Sequence, residues 1–175
     1  MSESWHIGVI GGSGLAAGIE LEAAQEIEVA SPFGLPSGAI TTGSIAGVRF
    51  TFLPRHGPGH AIPPGAVNYR ANIDVLKRCG VTDVVAVSAI GSLNPAMMPG
   101  HFVAVDQFID RTQGRENSFF GPGLVGHVSL ADPVCPRLFS GLVDAIGKEK
   151  AMVHPGGCYV AIEGPQFSTR AESRL

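Results

Sequence analysis

Phe52-Leu53-Pro54-Arg55-His56-Gly57-Pro58-Gly59-His60 is where an apolar, β-rich run, Val48 to Leu53, gives way to a glycine-rich loop. Pro54 stops the run, and an arginine and a histidine follow side by side. Arg55 is a permanent cation whose planar five-donor fork suits a phosphate or a carboxylate. His56 can donate a hydrogen bond or change charge near neutral pH. Gly57 and Gly59 let the chain bend and let a ligand approach closely. Alone, the pair reads either as a solvated surface turn or as one wall of an anion site.

Upstream, His6 to Ile10 reads as a short buried strand, followed at once by Gly11-Gly12-Ser13-Gly14-Leu15. A glycine-rich turn after a strand can present backbone N–H groups and a hydroxyl to an anion, or can simply turn the chain. No Gly-Lys-Ser/Thr follows, and the glycine spacing does not match a dinucleotide fingerprint. Glu26 to Val29 is a candidate strand, and Ser31 to Gly38, with Pro32 and Pro36, a loop. Ala39 to Ser44 and Val48 to Leu53 make a hairpin-like pair.

Downstream, Val67 to Cys79 has helical periodicity. Val67, Ala71, Val75 and Cys79 share one i,i+4 line with Leu76 beside it, and Gly80 is a natural stop. Asn68, Arg70 and Asn72 either cap the helix and bond the preceding loop or stay solvated. Thr82 to Val87 reads as a strand buried on both faces, as in a parallel sheet. It ends in Ser88-Ala89-Ile90-Gly91-Ser92. Ligands of open α/β sheets collect beyond the carboxyl ends of strands. Ser13, Arg55 and Ser88 each stand just past such an end, so the three readings reinforce one another.

Phe102 to Val105 is a further strand, and Asp106, Asp110 and Arg111 form an ion-pair cluster or ordinary surface charge. Arg111 to His127 is polar and irregular, with Phe119 and Phe120 suggesting a lid or a subunit contact. Asp132-Pro133 predicts a helix start, with Leu138, Leu142, Ala145 and Ile146 facing inward up to about Glu149. Cys158 to Ile162 is a strand. Beyond it, Phe167 reads as core packing, and Ser168 or Thr169 can cap a helix with Glu172 completing a capping box.

The chain has 175 residues, suited to one domain spanning 1–175. Charged residues are 15%, hydrophobic ones 45% and the net charge is −3. Low charge points to large buried surfaces, such as those between subunits, and the absence of a basic block argues against nucleic acid. The three cysteines, Cys79, Cys135 and Cys158, lack a CxxC spacing, so buried free thiols in a reducing cytosol are expected. No signal-peptide core and no transmembrane stretch is evident, which predicts a soluble, cytoplasmic protein.

Four stretches match one family in order and spacing: Ile10-Gly11-Gly12-Ser13-Gly14-Leu15; Leu53-Pro54-Arg55-His56-Gly57 with His60 and Val67-Asn68-Tyr69-Arg70-Ala71-Asn72; Ser88-Ala89-Ile90-Gly91-Ser92-Leu93 with Asp106 to Thr112; and Glu163 to Ser173. Together they closely resemble the trimeric purine nucleoside phosphorylases, above all the S-methyl-5′-thioadenosine phosphorylase branch. The resemblance implies an α/β fold, a mixed central β-sheet flanked by helices, incomplete here at the C-terminus by about a third. It implies a homotrimer, and phosphorolysis of a purine nucleoside to a sugar 1-phosphate and free base. Carried over by motif, Ser13, Arg55, His56, Ser88 and the Ala89 backbone bind phosphate. Phe167 packs on base or ribose, Ser168 lies near the purine edge, and His127 serves the neighbouring subunit's site.

Phosphate is already anionic and nucleophilic, so the site's task is to hold it beneath the anomeric carbon. Its charge then stabilises the oxocarbenium-like sugar as the base leaves. No metal or organic cofactor is required; inorganic phosphate is the co-substrate. Serine after Phe167 suits the 6-amino, methylthio branch, where the 6-oxopurine branch carries glutamate. Use of 6-oxopurine nucleosides and an inactive phosphate- or nucleoside-binding remnant are the alternatives. Without the family's last third, the 175-residue chain is expected to turn over little substrate by itself.

Overall fold

Three of the apolar runs pair side by side and in parallel. A computed structural model describes residues 5–12, 14, 15 and 18–174. In it β1 (His6–Gly11) lies between β4 (Val48–Pro54) and β5 (Asp83–Ala86), parallel to both. β3 (Ile40–Ile45) and β4 form the expected antiparallel hairpin, and β2 (Glu22–Ile27) completes a five-stranded sheet ordered β2-β3-β4-β1-β5. The sheet is therefore mixed. β2 begins earlier than the predicted Glu26–Val29, with a register shift between Glu22 and Gln25.

The described residues divide into two compact units: Met1–Ala89 with Arg115–Phe119, and Ile90–Gly114 with Phe120–Leu175. The first holds the core. Helix α1 (Tyr69–Arg78) buries Ala71, Val75 and Leu76, and Ile40, Leu53 and Val81 close the cluster. Each fully buried Leu or Ile side chain there stabilises the fold by about 1.5–3 kcal/mol. α1 begins as its sequence dictates: the Asn68 side chain accepts from the Ala71 N–H at 3.0 Å. It stops at Gly80, whose φ of +80° the left-handed region requires.

The asparagines do bond a loop, but the earlier one, 31–38. The Asn68 Nδ2 donates to the Phe33 carbonyl at 2.8 Å, and buried Asn72 exchanges two bonds with Ser37. Within the sheet, buried His6 donates from Nε2 to the Thr51 hydroxyl at 2.7 Å; Thr51 in turn donates to Thr42. Burial, then the charge of Arg49, pushes the His6 imidazole below its ordinary value, partly offset by a backbone hydrogen bond with Gly80. One expectation fails here. β5 is an edge strand of this sheet, and Val84 and Val87 are each 39% exposed, so the run is not buried on both faces.

Residues 115–119 fold onto this unit. Arg115 donates to the Tyr69 hydroxyl at 2.7 Å, Arg70 pairs with Glu116 and donates to the Ser118 carbonyl, and Phe119 meets Phe33 edge-on.

The second unit consists of two parallel ribbons and a helix. β6 (Phe102–Ala104) pairs with β8 (Val153–Pro155), and β7 (Gln107–Arg111) pairs with β9 (Cys158–Ile162). β7 runs through the predicted charge cluster. Asp106 and Asp110 accept from the backbone N–H groups of Gly157 and Thr112, and Arg111 approaches Glu172 at 3.9 Å. Helix α2 is Pro136–Lys148, three residues later than a start at Pro133 would give. With Asp132 as cap, Pro136 would have to donate the first intrahelical bond, which proline cannot do, and its ring would press on the Asp132 carbonyl. Cys135 is held extended before it, at ψ 115°. Leu138, Leu142 and Ile146 are half-buried with Phe139 and Val143, whereas Ala145 is exposed.

The cysteines are free, but only Cys79 is even partly buried; Cys135 and Cys158 are exposed. Burial pushes the Cys79 thiol up. No helix among the described residues is long and apolar enough to cross a membrane.

Candidate functional site

Register fixes where the candidate residues meet. Gly11 stands opposite Pro54, and Ile10 opposite Ala86, so β4, β1 and β5 end level with one another. The next residues on the outer two strands are Arg55 and Val87. Both remain tied to β1: the Arg55 N–H donates to the Gly11 carbonyl at 2.9 Å, and the Val87 N–H to the Ile10 carbonyl at 2.8 Å. The three ends thus converge at one edge of the sheet, where ligands of parallel strands collect.

The Arg55 side chain bridges two of those ends. Its Nη1 donates to the Ser88 Oγ at 2.8 Å and lies 3.3 Å from the Val87 carbonyl. Its Nε donates to the His56 Nε2 at 3.2 Å. His56 is 8% exposed, and its Nδ1 lies 2.8 Å from the Ile62 carbonyl across the loop. His60 stacks on the same ring, centroids 4.3 Å apart. The loop bends through Gly57 at φ +70°, where a Cβ would lie 2.8 Å from the Ser37 carbonyl oxygen. Ser37 is the residue that Asn72 clamps, so α1 braces the Arg55 loop through a second loop.

Arg55, His56 and Ser88 therefore come together, and Ala89, next in the chain, is exposed. Ser13 lies outside the described residues. Its neighbours are in place: the Leu15 N–H donates to the Gly12 carbonyl at 3.1 Å as the chain turns after β1. A half-buried guanidinium and a hydroxyl meeting beyond the strand ends suit an oxyanion that accepts several hydrogen bonds.

The other candidates belong to the second unit. Phe167 is 91% exposed, so the core-packing reading is overturned; Ser168 and His127 are exposed as well. Thr169, not Ser168, forms the capping box. The Thr169 N–H donates to the Glu172 carboxylate at 2.7 Å, and the Glu172 N–H to the Thr169 hydroxyl at 3.2 Å. The Thr169 backbone and then its side chain hold the Glu172 carboxyl below its ordinary value, with Arg111 adding a smaller contribution. Among the described residues, no group of three or more His, Cys, Asp or Glu is placed to hold a metal ion.

Sequence reading missed two contributors. The Ile62 carbonyl is a backbone atom and leaves no side-chain signal. The Ser37–Asn72 clamp joins residues of ordinary type 35 positions apart.

Comparison with known proteins gives a concordant set of relatives. The model of the phosphorylase superfamily matches residues 6–175. The S-methyl-5′-thioadenosine phosphorylase of Bradyrhizobium diazoefficiens is 55% identical over 95% of this chain and 57% of its own. That of Geobacter sulfurreducens is 54% identical over 97% of this chain and 59% of its own. The chain thus spans under three-fifths of the length of these curated relatives. Among solved structures, methylthioadenosine phosphorylase from Schistosoma mansoni in complex with tubercidin superposes with a TM-score of 0.90 at 40% identity, over 97% of this chain and 68% of that one.

Proposed function

The chain belongs to the phosphorylase superfamily, and from that membership we propose that it carries the phosphate site of an S-methyl-5′-thioadenosine phosphorylase. The observation that carries this reading is the bridge from Arg55 to Ser88, 2.8 Å long, across the level ends of parallel strands. The names of the relatives supply the substrate class.

In the proposed reaction a phosphate oxygen attacks the anomeric carbon of the nucleoside. The bond from that carbon to the purine nitrogen breaks, and its electron pair leaves with the base, which gains a proton. The products are adenine and 5-methylthioribose 1-phosphate. Arg55 supplies a fixed positive charge, and Ser88, Ser13 and the backbone N–H groups of His56 and Ala89 supply donors. These contacts hold the phosphate anion in place and keep its negative charge beside the developing sugar cation. Phe167 packs on base or sugar, Ser168 lies at the purine edge and favours a 6-amino group, and His127 acts on the neighbouring subunit of a homotrimer. No metal or organic cofactor enters the chemistry, and the setting is cytoplasmic.

A second reading, a phosphate-holding module without turnover, is favoured by Phe167, whose 91% exposure leaves it without a wall against which to clamp a purine. Adenine release from S-methyl-5′-thioadenosine, measured with and without phosphate, separates the two. Release that requires phosphate establishes the enzyme. Phosphate binding without release establishes the module. Phosphate binding left intact in Arg55→Ala contradicts both.

A further inference from the structure

Two hydrogen bonds define the protonation of His56. A carbonyl can only accept, so the nitrogen 2.8 Å from the Ile62 oxygen, Nδ1, carries the hydrogen. A guanidinium can only donate, so the nitrogen facing the Arg55 Nε at 3.2 Å, Nε2, must present a lone pair. The ring that satisfies both is neutral, with its proton on Nδ1. Both ring nitrogens are thereby engaged within the chain, and the ring is 8% exposed.

We propose that the His56 side chain is a positioning residue, a neutral Nδ1–H imidazole that locks the Arg55 guanidinium, rather than a phosphate ligand. This rests on the phosphate-site reading of Arg55 and deepens it. The guanidinium is held at two places, its Nε by His56 and its Nη1 by Ser88 and the Val87 carbonyl. With Nε and Nη1 engaged, a phosphate meets Nη2, and the Ser88 hydroxyl bonded to Nη1 lies beside it. A protonated imidazole could not serve, because it has no lone pair for Nε and would set a second cation against the first. An arginine fixed before the ligand arrives loses less rotational freedom on binding, which is how a residue that never touches phosphate strengthens its capture.

The spectroscopic test needs no ligand. In long-range ¹H–¹⁵N spectra of the ¹⁵N-histidine-labelled chain, His56 is expected to show a protonated Nδ1 and an unprotonated Nε2. A protonated Nε2, or the averaged signals of a freely exchanging ring, overturns the inference. The functional test titrates inorganic phosphate into the wild-type chain and variants by calorimetry. His56→Ala is expected to weaken binding about tenfold. His56→Gln, whose amide oxygen reaches the Nε2 position, should recover most of the loss, and His56→Asn, which is too short, should not. Equal affinities for the alanine and glutamine variants overturn the positioning role. Arg55→Ala separates the two layers. If it abolishes binding while His56→Ala changes nothing, the phosphate site stands and the positioning role falls. If Arg55→Ala itself binds normally, the phosphate-site reading falls. Should His56→Ala fail to fold, the tautomer spectrum of the wild-type chain decides.

Discussion

The two units of this chain are built from similar parts and end in different states. Each contains parallel strands and an amphipathic helix. In the first, α1 seals against the sheet, and Leu53, Val75 and Leu76 are at most 1% exposed. In the second, α2 has no buried residue, and Phe102, Phe108, Ile109 and Val160, on or beside its paired ribbons, are 40–52% exposed. Parallel strands ordinarily have both faces covered. The lesson is that apolar pattern sets the type of an element, whereas burial depends on what packs against it. The candidate residues follow that division: Arg55, His56 and Ser88 stand on the packed unit, and Phe167, Ser168 and His127 on the open one.

The largest expected effect sharpens this contrast directly. Leu53→Ala should cost about 2–5 kcal/mol in urea unfolding, because the cavity forms in a core that cannot collapse. Val160→Ala in the second unit should cost less than about 1 kcal/mol, since its side chain is already 40% exposed. Equal costs would break the comparison. Next in size is Asn72→Ala. It strips the Ser37 N–H and hydroxyl of their partner inside the fold, and about 2 kcal/mol should be lost. Native-state hydrogen exchange then offers a readout without mutation. Amides of β1, β4 and α1 should exchange only with global unfolding, and those of β6 to β9 earlier. Uniform protection would contradict the division.

The smallest effect is in pH. Folding lowers the His6 value below 6.5, so the unfolded chain binds the proton more readily. The resulting stability is fully present above that pH and is lost as pH falls below it. In the second unit the lowered group is Glu172, whose contribution is present above about pH 4.5 and lost only below it. Unfolding midpoints between pH 7.5 and 5.5 should therefore fall for the wild-type chain and fall less for His6→Gln, whose amide can still donate to Thr51. An unchanged slope would remove His6 as the cause.

Much of this was legible in residues. The strand-stop at Pro54, the cap at Asn68, the stop at Gly80 and the Thr169–Glu172 box are local signals, and each appears where its chemistry places it. The meeting of Arg55 with Ser88 was also legible, because parallel strands of matched length end level. What was not legible is non-local. Nothing near Val84 says that its strand lies at an edge, and nothing near Ile62 marks its carbonyl as the partner of His56. Asp132-Pro133 carries a start signal as good as many, yet Pro136 overrides it by withholding one N–H. The exposure of Phe167 is likewise a property of surroundings, not of its own type.

Phosphate binding by the wild-type chain and by Arg55→Ala tests the central claim most directly. Titration by calorimetry, with folding of both proteins checked by circular dichroism, should show the variant weaker by about a hundredfold or more. A folded Arg55→Ala chain that binds phosphate as the wild type does would contradict it.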